Sequence, residues 1–210
     1  MIGKKTHGLW LVAALLAGAV VQADASSIVM DGGFESGTAG SYGTGAIGDG
    51  WVVTAGTGAI CNNDGSGCGN AGDAHSGDQM AFLDWSNSLD TITQTLTTVA
   101  GQTYTIDYFV AGTQANLLEV TFGGSTLFDG TSPTAGVGSS DYVEYTYTAT
   151  AMSTSTVLAF SGERTAGGEI LLDDVSVSAV PEPATWPFTC GALLALVVLR
   201  GRFKSLKTPR

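Results

Sequence analysis

The sequence predicts an all-β fold, an antiparallel jelly-roll sandwich of eight or nine strands. Apolar and polar residues alternate with a period of two along the middle of the chain, where helical spacing of apolar residues is hard to find. Glycine, threonine, serine and alanine dominate that middle. Glycine-containing pairs typical of turns separate the alternating runs, and this spacing fits a sandwich better than a barrel with a parallel sheet.

Two segments show the alternation most clearly, and both are predicted to be half-buried antiparallel strands. The residues predicted to share the core face are Tyr104, Ile106, Tyr108 and Val110 in residues 102–110, and Val143, Tyr145, Tyr147 and Ala149 in residues 141–149. The other predicted strands are residues 27–30, 51–54, 79–84, 91–99, 117–122, 155–161 and 169–178. Turns are predicted between them at residues 100–101, 123–124, 129–130 and 167–168.

Charge separates the middle of the chain from its ends. All nineteen acids lie between Asp24 and Glu182, and Arg164 is the only Lys or Arg in that stretch, so its formal charge is −18. Such a segment cannot neutralise phosphates, which excludes nucleic acid as a partner. An acidic surface favours solubility and attracts cations.

The first 25 residues have the pattern of a secretory signal peptide. Lys4 and Lys5 precede an apolar run over residues 9–21, and small residues allow cleavage after Ala23 or after Ala25. An uncleaved membrane anchor is the alternative, although the run is short for a span of about 20 residues. The pattern predicts export.

The C-terminus has the pattern of a short transmembrane segment. Residues 184–199 are nearly free of charge, and the basic tail of residues 200–210 follows them. Basic residues flanking a span stay on the cytoplasmic side, so the acidic middle is expected outside the membrane. Flanking Arg and Lys side chains can snorkel to compensate for the shortness of the span.

Pro181, Glu182 and Pro183 stand immediately before that span. A Pro-Glu-Pro motif, an apolar helix and a basic end, in this order, resemble the PEP-CTERM sorting signal of Gram-negative bacteria. The resemblance implies processing by an exosortase-type membrane protease, transient anchoring in the inner membrane, and a final place at the cell surface or in an exopolysaccharide matrix. A Pro-rich stalk before an ordinary anchor is the alternative; a GPI signal fits less well because of the basic end. We therefore divide the chain into a signal peptide (1–25), a sandwich domain (26–179) and a sorting segment (180–210).

Three short motifs carry a second resemblance. Val-Met-Asp-Gly-Gly-Phe-Glu at 29–35, Ala-Gly-Gln-Thr-Tyr-Thr at 100–105 and Leu-Asp-Asp-Val-Ser-Val at 172–177, together with Gly50-Trp51, resemble the galactose-binding-like jelly roll of many carbohydrate-binding modules. Asp31 departs from the pattern, which usually has Asn there. The fold hosts unrelated functions, so the likeness alone does not assign one.

The same resemblance implies a structural calcium ion held by Glu35 and Asp173, with Asp174 as a weaker candidate. Calcium takes six to eight oxygen ligands, and carboxylates that meet in space otherwise repel one another. Strand alternation places Asp173 on the face of Val175 and Val177, pointing inward, and a buried acid needs a partner. The alternative is that these acids cap turns or accept backbone hydrogen bonds.

Two further sites follow from the residues themselves. Cys61 and Cys68 bracket a Gly- and Asn-rich loop, and two nearby cysteines in an exported protein are expected to form a disulfide. Trp85, beside Asp84 and Asn87 at a strand end, is a candidate sugar-stacking residue. Trp51 begins an apolar strand and is expected in the core.

Nothing in the sequence favours catalysis. The region after the signal peptide has one histidine, His75, which is expected in a turn, and it has no Gly-x-Ser-x-Gly elbow. Glu163 and Glu169 could serve a glycan-active hydrolase, but among nineteen acids some pair arises by chance. The main hypothesis is a non-catalytic surface or matrix protein associated with exopolysaccharide; the alternative is a specific carbohydrate-binding module.

Overall fold

The computed structural model describes residues 26–68, 72–83 and 88–181. All the secondary-structure elements in these ranges are β-strands. The predicted signal peptide, the predicted transmembrane segment and two residues of the Pro-Glu-Pro motif, Glu182 and Pro183, lie outside the described residues. Within the described ranges no helix is long and apolar enough to cross a membrane.

The described part of the chain forms twelve strands. In chain order they are β1 (Gly40–Tyr42), β2 (Gly45–Ala46), β3 (Trp51–Ala55), β4 (Gly58–Asn62), β5 (Gln79–Phe82), β6 (Asp90–Thr97), β7 (Thr103–Gly112), β8 (Leu117–Phe122), β9 (Ser125–Thr131), β10 (Val143–Thr150), β11 (Ser155–Glu163) and β12 (Ile170–Ala179). They pair into two six-stranded sheets. Sheet 1 has the order β1-β4-β5-β12-β7-β10, sheet 2 has the order β2-β3-β6-β11-β8-β9, and every pairing is antiparallel. The predicted jelly-roll sandwich is confirmed at this level.

The number of strands is larger than predicted. The alternation rule missed β1 and β2, which have only three and two residues, and β4, whose sequence Gly-Ala-Ile-Cys-Asn does not alternate. It also misses β9, because Asp129-Gly130 has the sequence of a turn but lies inside that strand. Residues 27–30 are not a strand, although the Ile28 amide donates a hydrogen bond to the Val177 carbonyl at 2.8 Å.

The main core lies between the two sheets. All four residues predicted to face it from 102–110 are buried on β7, and the equivalent side of β10 is half-buried at Tyr145, Tyr147 and Ala149. Val143, predicted on the same side of β10, is exposed instead. Trp51 is fully buried, as predicted, and its ring lies 5.2 Å from that of Phe34. Burying a large apolar side chain stabilises the fold by roughly 1.5–3 kcal/mol, so this core is the dominant favourable contribution.

A second, smaller apolar cluster covers one end of the outer face of sheet 1. Its members come from β4, β5, β7 and β12 and from the loops that cross them: Ala59, Cys61, Cys68, Ala74, Met80, Phe82, Ala111 and Leu171, with Val137 and Tyr142 packed against them. The segments around residues 72–78 and 137–142 are therefore fixed against the sheet. They position the candidate site described below.

A β-bulge in β12 changes the expected face of Asp173. Asp173 pairs with Phe109 of β7, but the next paired residue, Ser176, lies opposite Asp107, so β12 carries one extra residue between them. The prediction that Asp173 shares a face with Val175 and Val177 is therefore wrong. The extra residue, placed at Asp174 by its left-handed φ of 47°, leaves Asp173 on the outer side with Leu171, beneath the loop that contains His75.

Candidate functional site

Glu35, Asp173 and Asp174, here called the carboxylate cluster, gather around the backbone of Gly33. A methyl group built on Gly33 would lie 3.6 Å from Asp174 Oδ1, 3.7 Å from Asp173 Oδ1 and 3.8 Å from Glu35 Cγ. The early loop is tied to the bulge by a hydrogen bond of 2.9 Å from the Val175 amide to the Gly32 carbonyl. The fold thus brings Glu35 close to Asp173 and Asp174, an adjacent pair that lies far from Glu35 in the sequence.

Asp173 is fully buried and accepts three backbone hydrogen bonds. Its Oδ2 accepts from the amides of His75 at 2.8 Å and Ser76 at 3.1 Å, and its Oδ1 accepts from the Asp174 amide at 2.7 Å. Burial raises the pKa of Asp173 to about 7, and the charge of Asp174 adds to the rise, while these three hydrogen bonds oppose it. The carboxyl group of Asp173 therefore anchors the loop and carries an electrostatic cost when ionised.

Asp174 binds the same loop through its side chain. Its Oδ2 lies 2.6 Å from His75 Nδ1, and its Oδ1 accepts a hydrogen bond from the Ser76 hydroxyl at 2.8 Å. The His75 ring stacks on Phe109, with the ring centroids 3.9 Å apart. His75 lies in the bend before β5, as predicted from the sequence, but its contact with Asp174 was not foreseen.

The carboxylate cluster has the type of ligand atom that calcium binds, but the hydrogen bonding of these atoms does not favour a calcium ion. Carboxylate oxygens are the ligands calcium prefers. However, both oxygens of Asp173, both of Asp174 and Oε1 of Glu35 already have hydrogen-bonding partners within the protein. Among the described residues, no group of three or more His, Cys, Asp or Glu side chains has the spacing of a metal site. Calcium binding stays a prediction, and the arrangement matches the alternative that these acids accept backbone hydrogen bonds.

The disulfide predicted between Cys61 and Cys68 is present, with its two Cα atoms 5.3 Å apart. The enclosed loop turns tightly: the Gly65 amide donates to the Asn62 carbonyl at 2.9 Å, and the Ser66 amide donates to Asp64 Oδ1 at 2.8 Å. Ser66 lowers the pKa of Asp64 through two hydrogen bonds, the larger effect coming from its side chain and the smaller from its amide. These hydrogen bonds give Asn62, Asp64 and Ser66 a role in forming the turn.

A polar cleft of about 480 Å³ lies between this loop and the carboxylate cluster. The residues that line it are Glu35, Asn62, Asn63, Asp64, Asp78 and Gln79. Glu35 Oε1 fixes one wall by accepting hydrogen bonds from the amides of Asp78 and Gln79, both at 2.8 Å. Glu35 therefore belongs to the cleft and to the carboxylate cluster.

The amide side chains of the cleft donate hydrogen bonds within the protein. Asn62 donates to the Ser66 hydroxyl at 2.6 Å, Asn63 to the Gly77 carbonyl at 3.1 Å, and Gln79 to Asn62 Oδ1 at 2.8 Å. Gln79 Oε1 is buried, and no donor in the described part of the chain reaches it. The amide oxygens of Asn62 and Asn63 already accept hydrogen bonds as well, so the distinctive groups that the cleft exposes to a ligand are the carboxylates of Glu35, Asp64 and Asp78.

The sequence did not single out this cleft as a site. Asn62, Asn63 and Asp64 belong to the Gly- and Asn-rich loop between the two cysteines, Gln79 begins a predicted strand, and Asp78 carries no sequence signal. The available signal was the cysteine pair, which marks the loop as a fixed structure. The predicted sugar-stacking residues Asp84, Trp85 and Asn87 lie outside the described residues.

No protein-family model matches the sequence, and no curated protein matches it. The resemblance to the PEP-CTERM signal therefore has no independent support. Solved structures do match. A CBM61 carbohydrate-binding module in complex with β-1,4-galactotriose has a TM-score of 0.50 at 14% identity, over 73% of this chain and 99% of that module.

Two other solved structures are also similar to this chain. A CBM22 xylan-binding domain from Paenibacillus barcinonensis has a TM-score of 0.48 at 18% identity, over 77% of this chain and 99% of that domain. A cyclase from Fischerella sp. TAU, in complex with 4-(1H-indol-3-yl)butan-2-one, has a TM-score of 0.50 at 14% identity, over 76% of this chain and all of the cyclase chain. At 14% identity, the two matches with a TM-score of 0.50 show the fold alone: a jelly-roll sandwich that also occurs in a carbohydrate-binding module and in a cyclase.

Proposed function

We propose that the sandwich domain is a non-catalytic carbohydrate-binding module whose ligand occupies the polar cleft. The observation that carries the proposal is the cleft itself, about 480 Å³ in volume and lined by six polar side chains. This volume lies within the range of ligand pockets. Carboxylate and amide oxygens accept hydrogen bonds from sugar hydroxyls, and charge-assisted bonds of this kind are the stronger ones.

The comparison with solved structures supports the kind of ligand. The CBM61 module with the same fold is described in complex with a galactotriose. By extension we propose an oligosaccharide or the exposed segment of a polysaccharide for this chain.

We also propose that the domain is exported and displayed at the cell surface or in an exopolysaccharide matrix. The signal-peptide pattern and the basic end of the C-terminal tail support this location. The disulfide between Cys61 and Cys68 supports it independently, because disulfides persist in oxidising compartments. Mass spectrometry of protein from its native cells tests the proposal: an N-terminus after Ala23 or Ala25 is expected, and an intact N-terminus in the cytosol would refute it.

Polysaccharide pull-down and glycan-array binding with the full-length protein test the binding function. We expect binding that is lost in an Asp64→Ala/Asp78→Ala variant. Its matched control is Glu119→Ala/Asp129→Ala, which removes the same charge from exposed, paired positions on β8 and β9 of sheet 2. A Trp85→Ala variant tests whether the ligand binds in the cleft or at the sugar-stacking residue predicted from the sequence. Loss of binding only in Trp85→Ala would overturn the placement in the cleft, and release of reducing ends from the bound glycan would overturn the non-catalytic function.

A further inference from the structure

We propose, on the basis of the glycan-binding function above, that the cleft selects saccharides with free amino groups and rejects those with carboxylate or sulfate groups. A partly or fully N-deacetylated hexosamine polymer is the ligand class that fits. The reasons are the hydrogen-bonding groups of the cleft, the charge around it, and the pH range over which that charge persists.

The hydrogen-bonding groups favour a ligand rich in donors. The side-chain amides of Asn62, Asn63 and Gln79 each already donate within the protein. The acids in the lining, Glu35, Asp64 and Asp78, are exposed, and an ionised carboxylate can only accept hydrogen bonds. An ammonium group has three donors and no acceptor, whereas a carboxylate has acceptors only.

The charge of the cleft is negative and is not balanced by cations lining it. Three of the six lining residues are acids, Glu35, Asp64 and Asp78, and none is basic. All three acids are exposed at the surface, so they face an incoming ligand. Arg164, the only Lys or Arg between Asp24 and Glu182, is not among the lining residues. A uronate or sulfated sugar would bring like charge into this cleft, and like-charge contacts disfavour wrong partners strongly.

The negative charge persists where sugar amines are protonated. The hydrogen bonds from Ser66 hold the pKa of Asp64 below its ordinary value. Asp64 therefore remains ionised in mildly acidic solution, in which a glucosamine amine also carries its charge. Amino-sugar binding is expected to weaken as the pH rises and the amine loses its proton.

The experiment compares three oligosaccharides of equal length by isothermal titration calorimetry with the full-length protein. They are oligomers of glucosamine, of N-acetylglucosamine and of galacturonic acid. We expect the glucosamine oligomer to bind at least about tenfold more tightly than the acetylated one, which corresponds to ~1.4 kcal/mol, and the galacturonate oligomer not to bind.

Because the whole domain is anionic, a matched pair of variants separates the cleft from non-specific attraction of a polycation. Asp64→Ser/Asp78→Asn removes two charges from the cleft and keeps a side-chain acceptor for the Ser66 amide. Glu119→Gln/Asp129→Asn removes two charges from sheet 2. We expect the amino-sugar preference to disappear in the first variant and to remain in the second.

The possible results distinguish the two proposals. Equal loss of preference in both variants would show non-specific attraction and overturn the selectivity. Equally tight binding of the acetylated and free-amino oligomers, lost in the cleft variant, would overturn the selectivity while supporting the carbohydrate-binding function. Absence of binding by all three oligomers, and by neutral galacto-oligosaccharides added as a fourth ligand, would overturn both.

Discussion

Asp173 makes the stability of the domain depend on pH in a direction unusual for an acid. Burial raises the pKa of this carboxyl group from 3.8 to about 7, with the neighbouring charge of Asp174 as a further contribution. The folded state therefore binds the proton more tightly than the unfolded state does. Between these two pH values the folded state holds more protons, so the free energy of unfolding falls as the pH rises and levels off above about pH 7.

The size of the effect follows from the shift. One pKa unit corresponds to about 1.4 kcal/mol, so a rise of roughly three units sets a ceiling of about 4 kcal/mol on the stability lost across this range. An effect of that size is a large fraction of the free energy of unfolding of a typical domain, which is about 5–15 kcal/mol.

Denaturant unfolding at a series of pH values measures this effect, with EDTA present so that no divalent cation contributes. The control is Asp173→Asn, which keeps the shape of the side chain but cannot titrate. Subtracting the variant profile removes the contributions of the other acids, and the difference should fall by up to about 4 kcal/mol between the two pH values. Parallel profiles for the two proteins would refute the argument that Asp173 is a buried, costly carboxylate.

Three further perturbations test the surroundings of the site. Millimolar Ca²⁺ should raise the melting temperature, because a cation would offset the repulsion within the carboxylate cluster; an unchanged melting curve would count against the calcium prediction. Gly32→Ala should destabilise strongly, because its methyl group would lie 2.0 Å from the Val175 carbonyl oxygen, whereas Gly33→Ala, with no contact closer than 3.6 Å, should be tolerated; equal stabilities would contradict this packing. Replacing Cys61 and Cys68 by Ser should lower the free energy of unfolding by about 2 kcal/mol and weaken glycan binding. Unchanged binding by calorimetry would show that the cleft does not depend on the loop closed by the disulfide.

The sandwich could be predicted because its long central strands have strict alternation. On β7 one set of side chains is buried between the sheets and the other set faces outward, so the pattern is visible in the sequence. Short edge strands such as β1 and β2 have too few residues to show a period. β9 lies at the edge of sheet 2 and contains Asp129 and Gly130, and edge strands commonly carry charges and irregularities that discourage pairing with other molecules.

The face of Asp173 could not be predicted from alternation, because a single extra residue reverses every assignment beyond it. The adjacent acids Asp173 and Asp174 are the one local indication of a bulge in the sequence, because a bulge lets both side chains reach the same loop. Asp174 takes a left-handed conformation that most residues avoid, and its two side-chain contacts with His75 and Ser76 help hold it there.

The cleft shows why a binding site on this fold is hard to read from sequence. Its lining comes from three separate places: Glu35 after the first loop, residues 62–64 at the end of β4, and residues 78–79 at the start of β5. The antiparallel pairing of β4 with β5 brings the second and third together, Asn62 opposite Gln79, and the hydrogen bonds to Glu35 add the first. None of these three segments is distinctive alone. The site exists only because the loop ends of paired strands meet, so its residues become visible once the pairing is known.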